Sequence, residues 1–244
     1  MKPITVYWAP FTTFKDEESE WTYLYPKPKT LFSDLLTNKN KESLNSSFFA
    51  CPAISDKFKK TLVFRNSFDS SYRFDFSGDN RMFEHTSEYF ISNKKVRVSP
   101  LTDGPSIEFG LHYIFFADEP LTASFTPPYF HKPQYTVYGS NVPGDFDIGQ
   151  WFRPYNFEVQ MWKDKGEFHM KEDEPLFYVE FNTDRDIIFK RFNCTPKLQQ
   201  YSQSNLFLTK LFGRGQSLLS RYSKFNQSGM REKILFDIKN NLLD

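Results

Sequence analysis

The sequence predicts a mainly β protein of the α+β class. An antiparallel β-sandwich or jelly-roll-like body, residues 1–193, is expected to carry a packed helical C-terminal segment, residues 194–244. Aromatic residues make up 19% of the 244 residues, with 29 Phe and 13 Tyr, and these side chains favour half-buried pleated sheets. Short alternating runs separated by turn residues are typical of sandwiches and barrels. After Cys194 the apolar spacing becomes helical.

Alternation of apolar and polar residues predicts the strands of the body. It is clearest in residues 108–116, where Phe109, Leu111, Tyr113 and Phe115 share one face. Further strands are predicted at residues 4–8, 61–65, 71–76, 89–91, 96–98, 122–125, 158–162, 167–170, 177–181 and 187–192.

A repeated phrase predicts how some of these strands connect. Asp-Glu-Pro-Leu occurs at residues 118–121 and again at 173–176, each time between two strand-like runs. Proline fixes φ and has no N–H to donate, so it suits a turn or the first position of a strand. The repeat predicts two related β-hairpins, over residues 107–128 and 155–184. Both an old duplication and chance remain as explanations.

Other consecutive strands are also expected to pair. Residues 61–65 and 71–76 are predicted to form one pair, and a hairpin is predicted around residues 92–95. Residues 163–166, Lys-Asp-Lys-Gly, are typical of a hairpin turn. Residues 77–80, Ser-Gly-Asp-Asn, form a strong turn signal.

Helix signals stand near both ends of the chain. Thr30 precedes an apolar run with helical spacing and is a suitable cap for a short helix. Thr195-Pro196 combines a hydroxyl cap with proline at the first helical position. Apolar stripes at helical spacing follow over residues 198–212 and 230–242. We expect these stripes to pack on the sheet.

Charge is unevenly distributed between the body and the C-terminal segment. From Lys190 onward there are ten basic and three acidic residues, a net charge of +7, whereas the rest of the chain carries −6. Such a basic segment can bind an acidic partner such as nucleic acid. Its strong apolar stripe and the absence of a run of basic residues favour docking on the body or on another subunit.

The chain shows no targeting or membrane signal. Its first residues lack the apolar run of a signal peptide, and no stretch approaches the roughly 18 apolar residues of a membrane helix. Cys51 and Cys194 form neither a CxxC motif nor a Cys-His group, and we expect two reduced thiols. The expected location is therefore the host cytoplasm or a virion, without secretion by a signal peptide and without a membrane partner.

Two histidines raise the possibility of metal chemistry. His112 precedes Glu119 by seven residues and His169 precedes Glu174 by five, which would put both on equivalent faces of the two predicted hairpins. Together with Glu167 they could hold a divalent metal such as iron, zinc or manganese, as in a cupin-like, oxygenase-type enzyme. Neither strand supplies third and fourth ligands at usable spacing, so we expect solvent-facing histidines and no cofactor.

The region around residues 129–155 is the best candidate for a binding surface. It combines stacking faces with hydrogen-bond donors, which suit carbohydrate, nucleobase or protein partners. The alternative is a loop that covers the end of the sandwich with its own aromatic residues. The candidate binding residues are Tyr129, His131, Tyr135, Tyr138, Trp151, Arg153 and Tyr155.

Three short motifs carry a resemblance to a known family. Cys51-Pro52-Ala53, the strand at residues 151–162 and the Glu174-Pro175-Leu176 strand resemble an uncharacterised protein family of phages and bacteria. The resemblance covers about residues 48–192. That family has no assigned activity and is sometimes encountered alongside oxygenase-like proteins. The resemblance implies a phage-type source, and it assigns no role to any residue.

These observations favour a non-catalytic binding or structural protein of phage type. It would act through a protein partner or through self-assembly. The metal-dependent enzyme is the first alternative, and nucleic-acid binding through the basic C-terminal segment is the second.

Overall fold

The fold is mainly β, with antiparallel sheets and a helical C-terminal segment, which confirms the predicted class. The computed structural model describes residues 1–11, 25–37, 48–78, 82–87, 95–98, 104–211, 225 and 227–243. These residues form three sheets and a small set of helices. Within the same residues, no helix is long and apolar enough to cross a membrane.

The first sheet is the largest and has the order β14-β1-β7-β11-β9, with β6 also paired to β7. Strands β1 and β14 are parallel, and the other neighbours are antiparallel. The strands are β1 (Ile4–Pro10), β6 (Lys95–Val98), β7 (Pro105–Ala117), β9 (Gly139–Asn141), β11 (Pro154–Met161) and β14 (Ile187–Arg191).

The second and third sheets are antiparallel throughout. The second has the order β10-β8-β13-β3-β2 and the third the order β12-β4-β5. The strands of the second sheet are β2 (Lys29–Thr30), β3 (Thr61–Arg65), β8 (Thr122–Thr126), β10 (Gly144–Asp147) and β13 (Pro175–Phe181). Those of the third are β4 (Ser70–Asp75), β5 (Met82–Ser87) and β12 (Lys165–Met170).

The main core is aromatic and draws residues from all three sheets. Phe64 of the second sheet stacks on Phe177 with ring centroids 5.1 Å apart, and it meets the edge of Tyr113 from the first sheet at 4.8 Å. Tyr72 of the third sheet stacks on Phe168 at 5.2 Å. Aromatic pairs in these geometries add to the free energy gained by burying their area.

Strand β7 is buried on both faces. Tyr113 and Phe115 belong to the main core, whereas Ile114 and Phe116 belong to a second cluster formed with the C-terminal helices. The face opposite Tyr113 was predicted to meet solvent, and at Ile114 and Phe116 that prediction is wrong. The cause is tertiary, because helices cover this side of the sheet.

Both predicted hairpins at the Asp-Glu-Pro-Leu repeats are wrong. β7 lies in the first sheet and β8 in the second, while β12 lies in the third and β13 in the second. Each repeat is therefore an arch that carries the chain from one sheet to another. Pro175 does occupy the first position of its strand, as the missing proline N–H favours.

Hydrogen bonds explain why these turns become arches. At the first repeat, Asp118 N donates to Thr5 O at 3.2 Å, and Leu121 N donates to Asp147 Oδ1 at 3.2 Å. At the second, Asp173 N donates to Asn66 O at 3.0 Å. At both corners, backbone groups thus bond to other segments of the chain. At the second corner, Glu174 N also donates to Lys171 O at 3.2 Å within the turn itself.

The predicted pairing of residues 61–65 with 71–76 is also wrong, as is the hairpin at 163–166. β3 pairs with β13 and β4 pairs with β12, so two arches lie side by side. The buried Asn66 joins them, because its Nδ2 donates to Met170 O at 3.0 Å and to Phe68 O at 2.6 Å.

Two further predicted turns lie partly outside the described residues. Residues 77 and 78, the described part of the turn predicted at 77–80, follow β4, and β4 pairs with β5. Residues 88–94 lie outside the described part, and β6 pairs with β7 instead.

Two helices lie beside the second sheet. Helix α1 (Leu31–Thr37) begins as predicted, with Ser33 N donating to Thr30 Oγ1 at 3.2 Å. Helix α2 (Pro52–Lys60) was not predicted, although proline stands at its first position. Phe58 of α2 packs with Leu31 of α1 in a small separate cluster.

The C-terminal helices cover the outer face of the first sheet. Helix α3 (Pro196–Leu211) begins where predicted, and Leu198 N donates to Thr195 Oγ1 at 3.4 Å. Helix α4 (Met230–Lys239) buries Ile234, Leu235 and Ile238. Residue 212 and the side chains of residues 204–211 lie outside the described part of the predicted stripes.

One basic residue of this segment bonds to the body, and another joins helices α3 and α4. Arg231 donates from Nε to Gly149 O at 3.0 Å and from Nη2 to Ala117 O at 3.4 Å. Lys197 of α3 pairs with Asp237 of α4 at 2.9 Å. These contacts support docking of the segment on the body.

Candidate binding pocket

A pocket of about 170 Å³ lies between the first and second sheets, beside the arch that leads from β10 to β11. Most of its wall is aromatic. We call it the aromatic pocket, and its lining residues are Phe115, Phe125, Phe146, Ile148, Trp151, Arg153, Pro154, Tyr155 and Glu158.

Local sequence explains how the chain turns around this pocket. Asp147 Oδ1 accepts hydrogen bonds from Leu121 N at 3.2 Å and Gly149 N at 3.0 Å. A Cβ atom at position 149 would lie 2.3 Å from the carbonyl oxygen of Glu119. Glycine is therefore required where the two arches approach each other, and the turn then delivers Trp151 to the mouth of the pocket.

The aromatic walls hold one another in place. Tyr155 stacks on Phe125 with ring centroids 3.7 Å apart. Phe146 meets the edge of Phe125 at 5.3 Å and of Trp151 at 5.4 Å. These contacts already restrict the rotation of the rings in the free protein. Binding a ligand would therefore cost little further side-chain entropy.

The hydroxyl of Tyr155 is suited to neither acid nor base chemistry. It lies 3.5 Å from Asn141 Oδ1 in a buried environment. Burial raises the pKa of Tyr155, because desolvation disfavours the phenolate. The phenol is therefore neutral at physiological pH and serves as a flat wall.

Arg153 is the residue in the pocket with the least satisfied polar group. Its guanidinium carbon lies 5.4 Å from the ring centroid of Trp151, a cation–π contact. Its Nε is buried, and no described residue accepts a hydrogen bond from it. An unpaired buried donor costs free energy and invites a partner.

Glu158 also borders the pocket, but its carboxylate is already engaged. Ser106 Oγ donates to Glu158 Oε1 at 2.5 Å. Glu158 and Arg153 are thus the two charged residues that line the pocket.

A second polar group lies on the other side of the second sheet, and we call it the Asp34 cluster. It comprises Asp34, Arg65, His131 and Tyr178. Asp34 is 4% exposed and contacts Arg65 Nη2 at 2.5 Å through Oδ1. His131 Nε2 lies 3.1 Å from Oδ2, off the line that a hydrogen bond prefers.

The hydrogen bonds within the Asp34 cluster specify the position of one proton. Phe130 N donates to the hydroxyl of Tyr178 at 3.3 Å, and that hydroxyl lies 2.5 Å from His131 Nδ1. The carboxylate of Asp34, 3.1 Å from Nε2, favours the tautomer in which Nε2 carries the proton and Nδ1 accepts from Tyr178. Neutral His131 then carries its proton on Nε2, which faces Asp34. Burial lowers the pKa of His131, with Asp34 opposing this effect. Each polar side chain of the cluster contacts another member of the cluster, as expected of residues with a structural role.

The seven residues predicted as one binding surface fall into three groups. Trp151, Arg153 and Tyr155 line the aromatic pocket. His131 belongs to the Asp34 cluster, and the half-exposed Tyr129 meets the edge of Tyr178 at 4.8 Å.

The other two predicted binding residues are packed into the body. Tyr135 is fully buried, and its hydroxyl donates to Leu176 O at 2.6 Å. Tyr138 packs against Phe74 and lies under Lys163, with Nζ 5.0 Å from the ring centroid.

Several lining residues of the pocket carried no functional signal in the sequence. Phe115, Phe125 and Phe146 come from three strands, and alternation predicts only that the first two face a core. Their convergence on Trp151 depends on the arrangement of the sheets. Two arches in succession bring β8, β10 and β11 to one end of the sandwich.

The histidines predicted as alternative metal ligands lie in different sheets. His169 is exposed, as expected, and its Nδ1 lies 2.7 Å from Ser71 Oγ. Glu167 is also exposed. His112 is in β7, but its side chain lies outside the described part. In the residues that the structure describes, no group of three or more His, Cys, Asp or Glu is placed to hold a metal ion.

Comparisons with known proteins add no relative. No protein-family model matches the chain, and no curated protein or solved structure matches it significantly.

Proposed function

We propose that this chain is a non-catalytic binding protein that acts through a protein partner. The aromatic pocket holds one aromatic side chain of that partner. The observation that carries the proposal is a preformed aromatic cavity of about 170 Å³, with Arg153 at its wall and the buried Nε of that arginine unpaired among the described residues.

The size of the pocket supports a single ring as its occupant. An apolar cavity of about 150 Å³ is large enough to bind benzene, whereas sites for drug-sized ligands are about 300 Å³ or more. At about 170 Å³ the aromatic pocket matches one ring. Aromatic anchors seated in desolvated pockets dominate many protein–protein interfaces.

The chemistry of the wall supports binding rather than catalysis. Tyr155 remains neutral because burial raises its pKa. Glu158 is engaged by Ser106. The guanidinium of Arg153 can donate hydrogen bonds but has no acceptor atom. These groups recognise and orient a ligand.

A displayed library of random peptides, selected on the full chain, tests this proposal. We expect the enriched peptides to share one aromatic position. We expect Trp151→Ala to abolish their binding, because it removes a wall of the pocket. Trp162→Ala is the matched control, since Trp162 is 59% exposed and lies outside the pocket. Enriched peptides without a shared aromatic position, or binding that survives Trp151→Ala, would exclude the proposal.

The same selection separates a foreign partner from self-assembly. A consensus that matches a stretch of this chain, together with a dimer in sedimentation that Trp151→Ala dissociates, would make the partner a second copy. The phage-type source rests on the resemblance noted from sequence and remains a prediction.

A further inference from the structure

We infer that the aromatic side chain captured by the pocket stands next to a carboxylate in the partner peptide, and that Arg153 binds this carboxylate. The inference rests on the proposed function and names the chemistry of the partner. It predicts an acidic, aromatic peptide segment as the ligand.

Arg153 has one donor without an acceptor. Its Nε is buried and has no partner among the described residues. An unpaired buried donor costs free energy. A carboxylate that arrives with the ligand can accept from the guanidinium N–H groups and offset their charge.

The contact with Trp151 involves the flat face of the guanidinium and not its in-plane N–H groups. A ring at 5.4 Å from the guanidinium carbon occupies the flat face of the group. The N–H bonds of arginine point outward in the plane of the group, where they match the two oxygens of a carboxylate. Trp151 can therefore orient Arg153 without using its donors.

Nearby acidic residues do not compete for this role. Glu158 accepts from Ser106, and Asp147 Oδ1 accepts from two backbone N–H groups. These two carboxylates therefore bond to other groups of the chain and not to Arg153. The guanidinium of Arg153 can pair with a carboxylate of the ligand, whose charge complements its own.

The position of Arg153 favours a peptide over a small aromatic acid. Trp151, Arg153 and Pro154 are half-buried, so they form the mouth while Phe125 and Ile148 form the interior. A ring in the interior would leave its backbone at the mouth. The side chain of an acidic neighbour can then reach Arg153 from either side.

The test compares two synthetic peptides of equal shape, Ac-Asp-Phe-Asp-NH2 and Ac-Asn-Phe-Asn-NH2. Affinities are measured on the full chain from amide chemical shifts in NMR titrations. We expect the acidic peptide to bind about tenfold more tightly, the size of one charge-assisted hydrogen bond. We expect Arg153→Gln to remove this preference, so that the two peptides bind this variant with equal affinity.

Lys163→Gln is the matched control. It removes a positive charge that also lies over an aromatic ring, Tyr138, but outside the pocket. This variant should keep the preference. If Arg153→Gln does not fold, the salt dependence of the wild-type chain decides, since added NaCl must reduce a preference that depends on charge.

The possible outcomes separate the two proposals. Equal binding of both peptides, a preference that survives Arg153→Gln, or a preference insensitive to salt would reject the carboxylate and leave the aromatic pocket standing. If neither peptide binds, the pocket does not hold a phenyl ring, and both proposals fail.

Discussion

The aromatic pocket and the Asp34 cluster contain the same kinds of residues and differ in how their polar groups are satisfied. In the Asp34 cluster, the carboxylate, the guanidinium, the imidazole and the phenol contact one another. In the pocket, Arg153 has an aromatic ring against its face and no acceptor for its buried Nε. Each region contains an arginine, a carboxylate and a tyrosine, so residue type alone does not distinguish their roles.

This difference separates a structural role from a binding role. A network of buried polar groups that contact one another stabilises one arrangement of the elements that contribute to it. The Asp34 cluster joins α1, β3, β13 and the turn after β8, although Asp34 Oδ2 itself has no hydrogen bond. Arg153 contributes only its cation–π contact with Trp151 to the stability of the free protein, and it can pair with a ligand.

The largest effect should come from removing the charge at the centre of the Asp34 cluster. We expect Asp34→Asn to lower the free energy of unfolding by about 3–5 kcal/mol, because it leaves Arg65 without its buried partner. Urea unfolding measures the loss. Asp173→Asn is the control, because Asp173 faces the same arginine at 3.5 Å from a 76% exposed position. Equal losses in the two variants would show that the cluster does not depend on its buried pair.

A smaller loss is expected when the phenol of the cluster is removed. Tyr178→Phe leaves Phe130 N and His131 Nδ1 without their shared partner, and we expect a loss of about 1–3 kcal/mol in unfolding free energy. Tyr155→Phe removes a hydroxyl whose contact with Asn141 is long, at 3.5 Å, and should cost about 0.5 kcal/mol or less. The reverse ranking would mean that the hydroxyl in the pocket is the structural one.

The sequence predicted the positions of most strands, though not of β2, β5, β9 and β10, and it did not predict which strands pair. Alternation is local, so the positions of β7, β12 and β13 could be inferred from their own residues. Pairing depends on which sheet the chain enters after each turn, and that choice is made by distant groups such as Asn66 and Asp147. The repeats therefore predicted turns correctly and hairpins wrongly.

The candidate site was predictable in part for the same reason. Trp151, Arg153 and Tyr155 could be named because aromatic and arginine residues in an irregular segment favour binding. Asp34 and Tyr178 carried no such signal, since one lies in a short helix and the other in a strand. They are far from His131 in the chain, and only the folded arrangement brings them together.

A third variant compares the two arginines directly. We expect Arg153→Met to lower the unfolding free energy by at most about 1 kcal/mol, the size of a cation–π contact. Part of this loss is offset because a poorly solvated charge is removed. Arg65→Met should cost about 3 kcal/mol or more, because it leaves Asp34 buried and unpaired. Similar losses, measured in urea, would mean that Arg153 also has a structural partner.

The smallest effect should be the pH dependence that His131 adds to stability. Burial lowers the pKa of His131 in the folded protein, while nearby Asp34 raises it and Arg65 lowers it. The unfolded chain, with a pKa of about 6.5, therefore binds a proton more readily than the folded one. The contribution of His131 to stability is present above about pH 6.5 and is lost as the pH falls toward its folded pKa.

Unfolding midpoints in urea at about pH 7 and about pH 5 should differ less in His131→Gln than in the wild type. His169→Gln is the control and should keep the wild-type difference. The side chain of His169 is exposed and contacts Ser71, outside the Asp34 cluster. If the two variants respond alike, protonation of His131 does not oppose folding, and the hydroxyl of Tyr178 accepts a hydrogen bond from the protonated Nδ1.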